Sequence, residues 1–113
     1  MNNDRPLYDL FLDRVKATPD GIAVHHRGQD CTYAKIAELA DSLAAWLESE
    51  GLAPGDRVAL LLPNSSQYVA CYLGILRVGG VVVALNPDTT ARELYHTLGD
   101  ALPRVVITGK KAA

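Results

Sequence analysis

Unbroken apolar runs alternate, through the second half of the chain, with segments whose apolar positions return every three or four residues. The runs are Val58–Leu62, Val81–Leu85 and the stretch Arg104–Thr108. Continuous apolarity over so few residues predicts strands covered on both faces, the habit of parallel sheets. Gly55-Asp56 turns into the first strand, Pro63 ends it by removing a backbone donor, and Asn86-Pro87-Asp88 ends the second. Between them Ser66–Arg77 reads as a helix apolar almost all round, capped by Asn64 or Ser65 and closed by Gly79-Gly80. Such a helix is buried over most of its circumference. Its interior Gly74 costs about 1 kcal/mol against Ala, which predicts the close approach of a neighbouring element. Thr90 and Glu93 make a T-x-x-E capping box for a further helix through Leu94, Tyr95 and Leu98 toward Asp100. Strand, helix, strand, helix, strand from Asp56 to Thr108 predicts an α/β fold, a Rossmann-like, doubly wound parallel βαβαβ sheet with right-handed crossovers.

The first half carries different periods. Leu7, Leu10, Phe11 and Val15 recur at helical spacing, with Pro6 tolerated in the first turn and Thr18-Pro19-Asp20-Gly21 closing the segment. Ile22–His26 then reads as a strand, Arg27–Asp30 as its turn and Cys31-Thr32-Tyr33 as the returning strand of a β-hairpin. Thr32 also caps a helix that begins at Tyr33; its third position is Lys35, so the cap is single. Ile36, Leu39, Ala40, Leu43, Trp46 and Leu47 share one stripe of that helix. Lys35, Glu38, Asp41, Ser42 and Glu48 take the other, and Gly51 supplies a left-handed stop.

Composition narrows the class. At 113 residues, 49% hydrophobic and 21% charged, the chain fits one domain that buries about two thirds of its unfolded surface. A net charge of -2, with no basic cluster beyond Lys110-Lys111, speaks against a nucleic-acid partner. Cys31 and Cys71 belong to no CxxC pair and are read as free, mostly buried thiols, a disulfide or metal pair being the alternative. The amino terminus lacks the basic start and apolar core of a signal peptide, and no apolar run approaches the ~20 residues that span a bilayer. A cytoplasmic protein without a membrane span is expected.

Candidate chemistry is sparse. Ligands of open α/β sheets sit beyond the carboxyl ends of the strands, here Pro63-Asn64-Ser65, Asn86-Pro87-Asp88 and Thr108-Gly109-Lys110. Asn64, Ser65 and the amides behind them could hold an anion, but Asn and Ser after a strand are ordinary caps. Neither G-x-G-x-x-G nor G-x-x-x-x-G-K-[ST] occurs, and Gly109-Lys110-Lys111 reads as a solvated tail. His25 and His26 are neighbours on a strand, so their side chains leave on opposite faces, one exposed and one packed. His96 follows Glu93 by three positions, a spacing that permits a surface pair. No serine sits in a G-x-S-x-G elbow, and Tyr68 and Tyr72, four apart, read as core rather than as a substrate wall. No residue is assigned a catalytic, cofactor-binding or metal-binding role.

The order of pieces is more distinctive than any one of them. It runs from Thr18-Pro19-Asp20-Gly21-Ile22-Ala23-Val24 to Thr32-Tyr33 opening a helix toward Gly51, then to Pro54-Gly55-Asp56-Arg57-Val58-Ala59 and Pro63-Asn64-Ser65. Leu73-Gly74-Ile75-Leu76-Arg77-Val78-Gly79-Gly80 and Leu85-Asn86-Pro87 complete it. From Leu7 to Thr108 this closely resembles the N-terminal part of the adenylate-forming enzymes, the AMP-dependent synthetase/ligase superfamily, and its tone resembles acyl-CoA synthetases more than amino-acid adenylation domains. The resemblance implies a parent that activates a carboxylate with ATP and Mg²⁺ to an acyl-adenylate and passes the acyl group to a thiol such as CoA. It also implies that the phosphate loop, the ribose-binding motif and the C-terminal lysine lie downstream of this segment, so no cofactor is assigned to these 113 residues themselves. Two readings follow: an inert N-terminal segment whose partner is the remainder of the parent enzyme, or a stand-alone α/β module that binds or assembles with a partner. For the isolated chain the third parallel strand is expected to expose an edge that promotes self-association, an edge that a stand-alone module would have to cover.

Overall fold

The computed structural model describes residues 5–63 and 65–108, with backbone alone at positions 5 and 6. Helix α1 spans Arg5–Ala17, and β1 (Ile22–His26) pairs antiparallel with β2 (Gln29–Thr32). The hairpin is tighter than its composition suggests. Arg27 and Gly28 both take positive φ, 51° and 77°, giving the two-residue primed turn whose twist matches that of the strands. Gln29 and Asp30 therefore join β2 instead of the turn, and Tyr33 belongs to the helix that follows.

That helix, α2 (Tyr33–Ser49), starts as its sequence predicts: Thr32 Oγ1 accepts the Lys35 N–H at 3.1 Å. Gly51, at φ 85°, follows its last turn. α2 crosses α3 (Ser66–Arg77) with Gly74 at the contact, where an added Cβ would stand 2.9 Å from the Ala40 carbonyl oxygen and 3.2 Å from Leu43 Cβ. So close a crossing selects small residues opposite, and Ala40 and Ala44 are buried there beside Ile36 and Leu47. Trp46, expected on the buried stripe, is instead 48% exposed, since its direction lies off this narrow line. On α1 the buried side chain is Tyr8, whereas Leu7 and Leu10 stay exposed. Tyr8 joins Ile36, Ala40, Ala70, Leu73 and Leu76 in one apolar cluster.

The three parallel strands are β3 (Arg57–Leu61), β4 (Val81–Ala84) and β5 (Val105–Thr108), in the order β4-β3-β5. Val58 lies opposite Val82 on one side and Val105 on the other. The central strand is covered on both faces as its apolar run requires: Val58, Ala59 and Leu60 are all fully buried. Leu47, Leu52, Val58 and Ile75 form a second cluster beneath the sheet.

Helix α4 (Ala91–Ala101) links β4 to β5 and contains no buried residue, so its ends matter more than its packing. The capping box forms in full: Thr90 Oγ1 accepts the Glu93 N–H at 3.2 Å, and Glu93 Oε1 accepts from the Thr90 N–H at 3.2 Å and the Thr90 hydroxyl at 2.8 Å. Leu102, in the left-handed region at φ 48°, ends the helix without a glycine. The Thr90 side chain, and then its backbone N–H, hold the Glu93 carboxyl below its ordinary range. A lowered folded-state value means the stabilisation is present at neutral pH and is lost as pH falls through that value. Urea unfolding of the native chain and of Thr90→Ala, compared across the acid range, should show the native chain losing more stability; parallel curves would contradict this.

Candidate functional site

The strand order reverses at β3, which places the switch point of the sheet between the carboxyl ends of β3 and β5. A cavity of about 340 Å³ opens there, lined by Leu39, Leu62, Gln67, Ala70, Cys71, Ile107 and Thr108. Its walls come from four elements: α2, the exit of β3, the first turns of α3, and β5. The polar groups available are the Gln67 amide, the Thr108 hydroxyl and the Cys71 thiol. Burial pushes the Cys71 thiol up, so it stays protonated and is a poor nucleophile. This recess can accept a ligand or another part of the polypeptide, but it holds no acid–base pair.

The strand-end residues considered as an anion cradle are engaged in shaping the backbone. Ser65 is the cap of α3: its Oγ accepts the Tyr68 N–H at 3.1 Å and donates to the Pro63 carbonyl at 3.2 Å. Asn86 Oδ1 accepts the Asp88 N–H at 2.8 Å, folding the turn after β4. Asn64, Gly109, Lys110 and Lys111 lie outside the described residues. Among the described residues no cluster of His, Cys, Asp and Glu could hold a metal ion. Ser65 is committed to a cap and no glycine-rich turn stands in front of α3, so no step through a nucleoside triphosphate or its Mg²⁺ is assigned to the described residues.

The remaining candidates fall apart in space. His25 is exposed and bonds Asp30 across the hairpin, while His26 is half-buried on the other face. His96 is exposed and meets the Tyr95 ring edge-on; Glu93, which its spacing offered as a partner, is occupied by Thr90. Cys31 and Cys71 are free and half-buried. Tyr68 and Tyr72 are half-buried with ring centroids 6.3 Å apart; both line a surface groove beside α1, and Tyr72 also packs against the core cluster, as expected. Periodicity could not reveal that groove, because it forms only where the exposed leucines of α1 meet α3.

The most recognisable motif works at the opposite end of the sheet. Asp56 Oδ2 accepts the Ala53 N–H at 2.8 Å, and its carbonyl accepts the Val81 N–H at 2.8 Å. The Gly55 N–H reaches the Gly79 carbonyl at 2.8 Å, and the Arg104 N–H reaches the Arg57 carbonyl at 2.8 Å. Pro54–Arg57 thus ties the amino ends of β3, β4 and β5 together. At Gly80 an added Cβ would lie 2.9 Å from Ile75 Cγ2, so the return from α3 into β4 needs a residue without a side chain. These residues build the scaffold of the sheet.

A family model described as AMP-binding enzyme matches residues 11–113. The long-chain-fatty-acid–CoA ligase of Bacillus subtilis (strain 168) is 41% identical over 105 residues, which is 93% of this chain and 19% of the ligase. A dimodular nonribosomal peptide synthase of the same organism is 36% identical over 107 residues, 95% of this chain and 4% of that protein. Among solved structures, VinN in complex with 3-methylaspartate superposes with a TM-score of 0.89 at 36% identity, covering 95% of this chain and 30% of its own. The Klebsiella oxytoca NpsA N-terminal subdomain in complex with 3-hydroxybenzoyl-AMSN gives 0.83 at 28%, covering 90% and 26%. The chain therefore spans about a fifth of the length of the curated ligases it matches. No helix among its described residues is long and apolar enough to cross a membrane. With the βαβαβ sheet, the Pro54–Arg57 tie and a family match over residues 11–113, the chain belongs to the AMP-binding enzyme family and corresponds to an N-terminal part of such an enzyme.

Proposed function

We propose that these residues are the scaffold segment of a cytoplasmic, ATP-dependent carboxylate–CoA ligase, and that they are catalytically inert by themselves. In the parent reaction a carboxylate displaces pyrophosphate from ATP, with Mg²⁺ offsetting the developing charge, and a thiol such as CoA then displaces AMP from the acyl group. The observation that carries the reading is the family match over residues 11–113 combined with the strand-end side chains of Ser65 and Asn86, which are spent on a cap and a turn. The role left to this segment is mechanical: it supplies a buried sheet and helix layer against which the reacting parts of the parent are held. Identity to a fatty-acid–CoA ligase is 41% against 38% to a nonribosomal peptide synthetase over the same length, and the acyl-CoA assignment leans on that margin.

Pyrophosphate release from ATP, measured with a panel of fatty, aryl and amino acids, should stay at the no-protein level for this chain. Turnover above that level would overturn its inertness. Any longer version of the same polypeptide should release pyrophosphate with a fatty or aryl acid and form a CoA thioester. Activation of amino acids alone would overturn the acyl-CoA assignment while leaving the family unchanged. Self-association through an outer strand of the sheet belongs to the same proposal.

A further inference from the structure

A groove of about 420 Å³ runs between α1 and α3, away from the strand ends, and its lining differs in kind from that of the switch-point cavity. Leu7, Leu10 and Phe11 form one wall, and Tyr68 and Tyr72 stand on α3. Tyr33, at the start of α2, carries the Arg14 guanidinium over its ring at 5.9 Å from the centroid. Among the described residues Arg14 is the one charged residue of the lining, which includes no carboxylate. Leu7 and Leu10 are 48% and 63% exposed, a cost in unfavourable hydration that a ligand would remove.

We propose that this groove binds a small amphiphilic carboxylate, its alkyl or aryl body lying between α1 and α3 and its carboxylate meeting Arg14. The volume lies within the ~300–1,000 Å³ of small-molecule sites, and an apolar lining with one convergent polar group is their usual composition. Charge selects the head group: Arg14 stands over an aromatic face, no described lining residue carries a carboxylate, and a guanidinium matches a carboxylate in shape. A polypeptide strand is disfavoured because every wall is helical, so no open ladder of backbone groups is offered to it.

The test is amide chemical-shift titration of the ¹⁵N-labelled chain with decanoate, decanol and decylamine, each below its micellar concentration. Decanoate should shift amides of α1 and α3 and bind more tightly than decanol, with decylamine weakest. Arg14→Gln should weaken decanoate roughly tenfold, the scale of one charge-assisted contact at a partly exposed site, and leave decanol unchanged. Leu10→Ser, at an exposed position, should weaken decanoate and decanol together while the dispersion of the spectrum is kept. Equal binding of the three probes, or an Arg14→Gln variant that binds decanoate as before, would overturn the proposal. So would α1 and α3 shifts that grow with protein concentration in the absence of any probe, since a second copy of the chain would then be the occupant.

Discussion

Replacing Gly74 with alanine is expected to destabilise the chain by about 1–2 kcal/mol, even though the same change stabilises most helices. In a helix interior alanine is favoured over glycine by about 1 kcal/mol. At Gly74 the new methyl would stand 2.9 Å from a backbone oxygen of α2, and that atom cannot turn aside as a side chain can. The helices must separate, loosening Ile36, Ala40, Leu73 and Leu76 together, and overpacking of this kind costs about 1–3 kcal/mol. Gly74→Val adds a branch to the same clash and should exceed the upper end of that range. Gly99 provides the contrast within one molecule: it lies in α4, where an added Cβ has nothing within 4 Å. Gly99→Ala should therefore stabilise by about 0.5–1 kcal/mol. Thermal unfolding should separate the two alanine variants by several degrees in opposite directions. If Gly74→Ala melted at or above the native temperature, the close crossing of α2 and α3 would be wrong.

That crossing was readable in the sequence because a glycine inside an otherwise apolar helix has few uses other than closeness. The same holds for the T-x-x-E box at Thr90–Glu93 and the three apolar runs of the sheet, where a local pattern has a single inexpensive solution. Positions whose fate depends on a partner were less legible. Trp46 shares the stripe of Leu47 in projection, yet the narrow contact at Gly74 accepts Ala40 and Ala44 and turns the indole outward. Leu7 and Leu10 fit the apolar period of α1, but Tyr8 is the residue that reaches the core, 4% exposed. The hairpin turn shortened because Arg27 accepts positive φ beside Gly28, an allowance that arginine does not advertise. At the strand ends Ser65 had two readings, cap or cradle, and its bonds to Tyr68 and Pro63 choose the first. The switch-point cavity was foreseen only as a place, because its walls come from residues 39 to 108, which no local pattern connects.

The proposed self-association turns on the outer strands, and Val106→Lys is expected to weaken it at least tenfold. In the described sheet β4 and β5 each pair with β3 on one side only. Both are built of uncharged residues, Val81-Val82-Val83-Ala84 and Val105-Val106-Ile107-Thr108, without the inward lysine, bulge or proline that commonly blunts an edge. Val106 is 45% exposed and Val81 40%, so a lysine at either position can keep its ammonium in water without disturbing the buried Val58, Ala59 and Leu60 beside them. The charge penalises a second strand laid against it, whereas the fold loses little. The form of the assembly tells which edge is used. Two copies meeting through β5 alone, or through β4 alone, are related by a two-fold axis and stop at a dimer; β5 of one copy pairing with β4 of the next repeats without closing. Sedimentation of the native chain over a range of concentrations should thus show either a plateau at twice the monomer mass or continued growth. A dimer abolished by Val106→Lys and untouched by Val81→Lys identifies β5, and growth blocked by either variant identifies both edges. A native chain that remains monomeric at high micromolar concentration would show that neither edge recruits a second copy, and the self-association part of the proposal would fall.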